Sequence, residues 1–508
     1  MSCSSDLGIY TKSVTMGLNL ATLFLTAAAV YLLGRLITLL LSPLNGFPGP
    51  WYAKFTGLPG TIATLSRRQA QYYHRLHETY GPFVRVSPNQ IFVSDLEAFK
   101  KIHKVGSNFL KSDTYHFFAP AGPGEPPYGL FAMTDKEDHA QRRKLLARGF
   151  TTTSLRTDWE DIVRDKIADT IRGMQREAAA EGGEVDIMKW WMLMTSDTIS
   201  RLMFGESFDG LKTGEEDPWF GHLKSANTAV FSAMSFPTLY AIGKRLPVVG
   251  GLWIFHAHEP ILDKGRIAVE NSKNSSEANT SLFSKVMEQA GEDEKGLSDL
   301  EICVEAAAFM VGGTDTTSNT LTYLVWAVLS RDELRESLER ELAAVEEPLT
   351  DASLEALPVL TAVIEETLRL HGAAPTPLPR VVPDGGVELG GRFVPAGAVV
   401  ATQAWTLHRD PTIFDDPETF DHTRWLPDGP VARSATAKAA FTPFGAGSRG
   451  CIGRHLAYME LRFGAAMFFR TFKGARLAPS TTPESMEMAN LAVVEPEAKA
   501  CRVVLPGF

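Results

Sequence analysis

The sequence predicts a mainly α-helical protein with a smaller β region, preceded by a single N-terminal transmembrane helix. Three observations lead to this prediction. Residues 135–371 largely follow a helical period, which Gly and Pro interrupt only at intervals. Two segments, 84–93 and 380–403, are instead short, rich in β-branched residues and bounded by turn residues. Finally, residues 14–33 form a continuous stretch without a charged side chain.

The uncharged stretch from Val14 to Leu33 is about as long as a helix must be to cross a bilayer core. Arg35 interrupts the apolar run near its end, where a long side chain can reach the lipid headgroups. A cleaved signal peptide is the alternative, although this stretch is longer than a typical signal-peptide core. Because more basic residues follow the stretch than precede it, we expect the body of the protein on the cytosolic side.

The chain divides by composition into four parts. A short tail over 1–13 precedes the transmembrane anchor over 14–41, and a Pro- and Gly-containing hinge follows over 42–60. We expect residues 61–508 to form one large catalytic domain, because the motifs described below all lie within it.

Charge and cysteine content narrow the class of protein. The net charge is −10, which gives no support to nucleic-acid binding. The cysteines are sparse and form no C-x-x-C pair, so neither a zinc site nor a disulfide framework is expected: Cys3, Cys303, Cys451 and Cys501.

One cysteine near the C-terminus lies among glycines and an arginine, in Phe444-Gly445-Ala446-Gly447-Ser448-Arg449-Gly450-Cys451-Ile452-Gly453. Glycines let a backbone pass close to a bulky flat partner. The arginine offers a charged donor suited to a carboxylate, and the cysteine offers a thiolate that binds metal. A lone cysteine is more often a small buried hydrophobic residue, but the spacing of its neighbours here argues against that alternative.

This stretch resembles the pattern F-x-x-G-x-R-x-C-x-G of the cytochrome P450 family. The resemblance implies the cytochrome P450 fold and a haem b cofactor, with the Cys451 thiolate as axial ligand of the iron. Phe444, Arg449 and Gly453 would belong to the same cofactor site. A thiolate ligand pushes electron density towards bound oxygen and favours O–O cleavage.

A second motif lies inside a predicted helix of roughly 32 residues that begins with the capping-box pattern S-x-x-E at Ser298. The glycines and threonines of Gly312-Gly313-Thr314-Asp315-Thr316-Thr317 are poor helix formers and weaken the backbone ladder there. Close packing of two helices is the alternative explanation. The segment resembles the oxygen-activation motif of the family, which implies Asp315 as an acid and Thr316 as a hydroxyl in proton relay to dioxygen.

A third pattern pairs Glu366 with Arg369 on one helix face. Alone it is weak, because an ordinary solvated surface pair would look the same. It falls 85 residues before Cys451, however. Between the two, Phe420-Asp421-His422-Thr423-Arg424-Trp425 resembles the family's F-x-P-x-R-W. The resemblance implies that Glu366, Arg369 and Arg424 form a buried charge network.

Further basic residues match positions where the family holds the haem propionates. His139 and Arg143 resemble the family's W-x-x-x-R pattern, with histidine in the tryptophan position. Arg380 comes after the Glu366–Arg369 pattern and resembles the family's propionate-binding arginine. A solvated basic helix face is the alternative for Arg143. Nearby basic residues are candidates for a reductase docking face, with ordinary solvation as the alternative for each: Arg142, Lys144 and Arg148.

The resemblance implies a monooxygenase that inserts one atom of O2 into a hydrophobic small molecule by hydroxylation, epoxidation or desaturation. Electrons would come from NADPH through a separate NADPH-cytochrome P450 reductase, with cytochrome b5 as a further candidate donor. The closest likeness is to fungal microsomal members of secondary metabolism. This implies a single-pass protein of the endoplasmic reticulum membrane with a cytosolic catalytic domain. A haem-thiolate isomerase or dehydratase and a non-catalytic haem protein are the alternatives.

The substrate is described only by class. Aromatic residues occur in the position of the family's variable substrate loop and of its lid, although such residues are more often plain core: Tyr115, Phe117, Phe118, Tyr128, Phe231, Phe236 and Phe309. They suggest a flat or polycyclic substrate such as a polyketide, a terpenoid or a prenylated alkaloid.

Overall fold

The computed structural model describes residues 22–508, apart from 24, 28, 32, 35, 247–248, 250, 274–280, 289–295 and 492. Its described part is mainly helical. The α-helices of seven or more residues beyond residue 41 are α1 Leu58–Leu65, α2 Gln69–Tyr80, α3 Leu96–His103, α4 Lys136–Leu146, α5 Glu160–Ala180, α6 Ile187–Phe204, α7 Trp219–Ser235, α8 Pro237–Arg245, α9 Glu259–Lys273, α10 Leu282–Glu288, α11 Asp299–Leu329, α12 Asp332–Ala343, α13 Pro358–His371 and α14 Arg454–Thr471.

The β region of the described chain is small and consists of short strands in four sheets. Its strands are β1 Phe83–Ser87, β2 Gln90–Val93, β3 Leu110–Lys111, β4 Glu184–Asp186, β5 Leu378–Val381, β6 Val387–Leu389, β7 Arg392–Val394, β8 Val399–Thr402, β9 Arg476–Leu477, β10 Met488–Asn490, β11 Val494–Pro496 and β12 Arg502–Val504. The main sheet has the order β1-β2-β8-β5-β3, in which only β2 and β8 run parallel. Both predicted strand regions, 84–93 and 380–403, are therefore confirmed.

The predicted anchor over 14–41 lies partly outside the described residues. Those described between 22 and 40 are helical. Within the described part of the chain, no helix combines the length and the apolar character needed to cross a bilayer. The predicted transmembrane helix is thus not found there. Within the range predicted as a hinge, Leu44 and Phe47 are buried against the main sheet.

The long helix α11 begins and ends close to its predicted limits. The Ser298 hydroxyl accepts from the Glu301 amide, and the Glu301 carboxylate accepts from the Ser298 amide, so the predicted capping box is confirmed. Most side chains of α11 are buried, and it packs against α6, α9, α13 and α14. This helix forms the centre of the larger core and carries the second motif of the sequence.

Two adjacent glycines in α11 serve different purposes. A Cβ at Gly313 would lie 2.8 Å from Cγ1 of Ile199 in α6, so this glycine permits close helix packing. A Cβ at Gly312 would meet nothing within 4 Å, and this glycine lines a cavity. Close packing of two helices therefore explains Gly313, and an opening of the helix surface towards a cavity explains Gly312. The helix remains continuous through the motif: the hydroxyls of Thr314 and Thr316 donate to the carbonyls four residues earlier, and the backbone ladder is not broken.

Candidate active site

The loop before α14 places Cys451 at the base of a large cavity. The Cys451 amide donates to the carbonyl of Phe444 over 2.8 Å, which closes the loop. Gly445 and Gly447 have φ of +70° and +63°, values that other residues adopt only with strain. A Cβ at Gly447 would also lie 1.8 Å from the carbonyl oxygen of His103. The glycines thus let this loop fold tightly against the chain after α3.

The Cys451 thiol lies deep in the molecule but its side chain is open to the cavity. Burial raises the pKa of this thiol, while the Gly453 amide and the charges of Arg143 and Arg454 lower it. The thiol also precedes the N-terminus of the 18-residue helix α14, whose positive end favours a thiolate. The position therefore suits a cysteine that acts as a metal ligand.

Cationic side chains converge on the cavity beside Cys451. Arg143 donates to the Gly450 carbonyl over 2.7 Å, Arg380 donates to the Tyr115 hydroxyl over 3.0 Å, and Arg449 donates to the Met133 carbonyl over 2.9 Å. All three arginines line the cavity. For Arg143 this placement argues against a solvated helix face.

A fourth cation, Lys111, was missed by the sequence analysis. It pairs with Arg380 across strands β3 and β5, is buried, and donates to the Phe131 carbonyl over 2.5 Å. Burial, and then the charges of Arg380, Arg449 and Arg143, lower the pKa of Lys111 well below its usual value. A lysine that directly follows the apolar pair Phe109-Leu110 gave no signal in the sequence, because its partner lies some 270 residues away in the chain.

His139 lies within the same cluster. It is buried and lines the cavity, and burial together with the neighbouring cations lowers the pKa of its ring to about 3. The ring is therefore neutral at physiological pH and keeps one N–H to donate.

These residues fit a haem group. Among the residues that the structure describes, Lys111, Arg143, Arg380 and Arg449 form no direct ion pair with a carboxylate, although Asp135 acts on Arg449 from a greater distance, and their hydrogen bonds go to uncharged oxygens. Lys111 and Arg380 are buried and Arg143 and Arg449 are half-buried. Cations withdrawn from water without a counter-charge are costly, and the two propionates of a haem would supply such charges. The thiol of Cys451 would meet the iron of the same group.

The second motif lies on another wall of the same cavity. Asp315 and Thr316 both line it, and the Thr316 hydroxyl donates to the Gly312 carbonyl over 2.9 Å. The neighbouring carbonyl of Thr314 accepts from Thr195 of α6 over 2.9 Å. This contact fixes the motif against the adjacent helix while leaving two polar side chains at the cavity.

The third pattern lies outside the cavity and is fully buried. Arg369 forms two hydrogen bonds to Glu366, of 2.8 and 2.7 Å, and both side chains are inaccessible to solvent. The Arg424 Nε lies 3.5 Å from Glu366, and the Trp425 indole donates to the same carboxylate over 2.8 Å. The pair is therefore not a solvated surface contact.

Arg369 also holds the chain that leads towards the Cys451 loop. Its guanidinium donates to three backbone carbonyls beyond α13, those of His408, Pro417 and Thr419. The Glu366 carboxylate accepts from the Asp421 amide over 2.8 Å. The Glu366–Arg369 pair thus holds the irregular stretch over 408–421 in place.

The cavity has a volume of about 1250 Å³. This exceeds the usual 300–1,000 Å³ range of small-molecule pockets. Of the aromatic residues singled out from the sequence, Tyr115, Phe118, Phe231 and Phe309 line it. Phe117, Tyr128 and Phe236 are not among the lining residues, and Phe236 is exposed.

One expectation about the surface is wrong. Arg142, a candidate for a docking face, is only 10% exposed and forms ion pairs with Glu301 and Glu305 of α11. The sequence could not reveal this, because both carboxylates lie about 160 residues away. Lys144 is exposed on the same helix.

Comparison with known proteins decides the family. The family model for cytochrome P450 matches residues 48–502. The chain belongs to the cytochrome P450 family. Among its relatives is the cytochrome P450 monooxygenase cypX of Dothistroma septosporum, 37% identical with 99% of each chain covered. The cytochrome P450 monooxygenase aflV of Aspergillus parasiticus is 38% identical, covering 95% of this chain and 96% of its own.

A third relative has a more specific name. The methylphloroacetophenone oxidase of Cladonia uncialis is 33% identical, over 74% of this chain and 84% of its own. The predicted family and its enzymatic class are confirmed, and the relatives are fungal. Membership of this P450 family implies haem with a cysteine thiolate ligand, and Cys451 is the cysteine that matches the family pattern.

Proposed function

We propose that this P450 is a monooxygenase that oxidises an aromatic, hydroxylated polyketide-like molecule in fungal secondary metabolism. One observation carries the proposal: Cys451, the cation cluster and the pair Asp315–Thr316 line a single large cavity. A haem bound there supplies activation of O2, which no side chain can provide. Arg143, Arg380, Arg449, Lys111 and His139 would hold its propionates.

The roles of the chain's own residues follow from their positions. Phe444 and Gly453 support Cys451 through the loop closure and the start of α14, so they keep the thiol oriented towards the cavity. Thr316 and Asp315 place a hydroxyl and a carboxyl at the cavity wall, where they would hold and deliver protons. The apolar walls exclude bulk water and orient the substrate.

The substrate class rests on cavity shape and on one relative. Aromatic side chains at the cavity wall favour a flat ring system through stacking and edge contacts. The name of the Cladonia uncialis relative indicates an acetylated polyhydroxybenzene as substrate of that protein. A phenolic polyketide therefore ranks ahead of a terpenoid or a prenylated alkaloid.

A screen of phenolic polyketides, terpenoids and indole alkaloids for substrate-induced changes in the haem spectrum tests this ranking. Binding confined to terpenoids or alkaloids would contradict it.

Replacing Thr316 with alanine should separate cofactor binding from productive oxidation. The variant loses the hydroxyl at the cavity wall, so we expect normal haem content but NADPH consumption that yields hydrogen peroxide instead of product. The measurement compares NADPH used, peroxide formed and product formed, with a phenolic polyketide substrate and added P450 reductase. Thr320→Ala, which removes another cavity hydroxyl one turn further on, is the control. Full coupling in the Thr316→Ala variant would exclude Thr316 from proton delivery.

We further propose that the enzyme is attached by its N-terminus to the endoplasmic reticulum membrane, where NADPH-cytochrome P450 reductase, with cytochrome b5 as an accessory, would supply electrons. Support comes from exposed apolar side chains before the catalytic domain, among them Leu23, Leu25, Leu40 and Leu41. So many exposed apolar groups in one segment are unfavourable in water and typical of a membrane contact.

Deletion of residues 1–42 should release the protein from membranes while leaving its haem spectrum unchanged. The segment removed contains the exposed apolar side chains, whereas the buried residues Leu44 and Phe47 are retained. Fractionation of expressing cells, followed by an alkaline wash of the membranes, measures the outcome. If the shortened protein stays with the washed membranes, the N-terminal segment is not its main attachment.

A further inference from the structure

The loop over 119–132 forms one wall of the cavity and is tied to α11 by a buried carboxylate. The Leu130 amide donates to both carboxylate oxygens of Glu305, over 2.9 and 3.0 Å. The Glu305 side chain is inaccessible to solvent and lies seven residues before Gly312. The loop is rich in Gly and Pro, and this bond joins it to the long helix.

Arg142 supplies the counter-charge for this carboxylate. Its guanidinium donates to Glu305 over 2.8 Å and also pairs with Glu301. A buried carboxylate that keeps both a guanidinium and a backbone amide is stable, but loss of either partner leaves a costly unpaired group. Glu305 therefore connects α11, α4 and the cavity loop at one point.

The residue after Leu130 is also held. The Phe131 carbonyl accepts from Lys111, so each of these consecutive residues is hydrogen-bonded to a buried side chain. The Phe131 ring lies 5.4 Å from that of Tyr115 and 5.5 Å from that of Phe118, measured between centroids. Phe118 in turn contacts Phe231 of α7 at 6.0 Å. These four rings, which we call the aromatic wall, all line the cavity.

We propose that Glu305 is a positioning residue for substrate selection: by holding the Leu130 amide, it fixes the aromatic wall of Tyr115, Phe118, Phe131 and Phe231. Glu305 borders the cavity, but both of its carboxylate oxygens accept hydrogen bonds from the Leu130 amide and one also accepts from Arg142, so we expect it to act through the loop. This inference rests on the proposed function, since the aromatic wall selects a substrate only if the cavity binds one beside a haem.

The test compares Glu305→Ala, Glu305→Gln and a matched control in the full-length protein purified from membranes. The glutamine keeps an oxygen that can accept from Leu130, whereas alanine removes it. Glu339→Ala is the control, because Glu339 is also a buried glutamate that accepts a loop amide, that of Gly474, yet does not line the cavity. Amide hydrogen exchange of residues 119–132 reports on the loop. Spectral titrations with imidazole and with the bulky azole clotrimazole report on the cavity.

We expect exchange at 119–132 to rise roughly tenfold in Glu305→Ala, with a smaller rise in Glu305→Gln, because alanine removes the acceptor of the Leu130 amide and the loop then opens more often. The dissociation constant for clotrimazole should rise roughly tenfold in the alanine variant, while that for imidazole, which is too small to reach the wall, should change less than about twofold. In Glu339→Ala, exchange should rise near Gly474 and neither azole should bind differently.

Unchanged exchange at 119–132 in Glu305→Ala would overturn the proposal, and so would faster exchange with unchanged clotrimazole binding. Equal weakening of both azoles would also overturn it, because it would indicate a general disturbance of the haem site. If the unsubstituted protein showed no azole-induced spectrum at all, the proposed function would fail, and the role in substrate selection with it. The exchange measurement would still report separately whether Glu305 holds the loop.

Discussion

Replacing Arg369 with alanine is expected to destabilise the protein by about 3–5 kcal/mol and to prevent recovery of haem-loaded enzyme. The substitution leaves the Glu366 carboxylate buried without its two strongest hydrogen bonds, those of 2.8 and 2.7 Å. It also removes the donors for three backbone carbonyls, of His408, Pro417 and Thr419. Because this stretch leads to the Cys451 loop, the damage should reach the cofactor site.

The measurement is the midpoint of guanidinium unfolding, followed together with the amount of haem retained per protein. Arg433→Ala is the control, because its pair with Asp428 is largely exposed and should contribute less than about 1 kcal/mol. Arg369→Lys should recover little, because a lysine cannot reproduce the bidentate contact. An Arg369→Ala variant as stable as Arg433→Ala would show that the buried network does not hold this region together.

Replacing Cys451 with alanine is expected to abolish the spectrum of a thiolate-ligated haem and all NADPH-dependent oxidation. Among the described cysteines, Cys451 has a side chain exposed to the cavity, whereas Cys303 and Cys501 are buried. The Cys451 amide is satisfied by Phe444 through the backbone, so alanine should preserve the loop while removing the ligand. The free energy of unfolding of the haem-free protein should therefore change little.

Cys501→Ala provides the control for this experiment. The Cys501 side chain is fully buried and does not line the cavity, so its thiol cannot reach a cofactor bound there. The Cys501 variant should keep the thiolate-type haem spectrum. Retention of that spectrum in Cys451→Ala, or its loss in Cys501→Ala with the protein still folded, would contradict the assignment of the ligand.

Local signals predicted the regular elements well. The Ser298 capping box and the β segment over 84–93 depend on neighbouring residues, and both occur as predicted. The Cys451 loop could be predicted equally well. Its glycines with positive φ and its closing backbone hydrogen bond all lie within ten consecutive residues. The anchor over 14–41 stays a prediction, because its first part lies outside the described residues, among which no spanning helix is found.

Contacts between distant segments account for what the sequence could not show. Lys111 joins the cation cluster only because β3 pairs with β5. Arg142 was expected at the surface, but α4 packs its guanidinium against two carboxylates of α11. The sequence did not indicate a role for Glu305, because a glutamate in a helix is ordinarily solvated. Its burial depends on the packing of the 119–132 loop against α11. Such pairings arise from tertiary packing, which a single sequence does not reveal.

The central claim is that Cys451 holds a haem through its thiolate in this cavity. The most direct test is a difference spectrum of the reduced, carbon-monoxide-bound protein in membranes from cells that express the full chain. The account predicts the strongly red-shifted Soret band of a thiolate-ligated haem. Absence of that band in well-expressed, folded protein would contradict the claim, and a Soret band without the red shift would show that another ligand holds the iron.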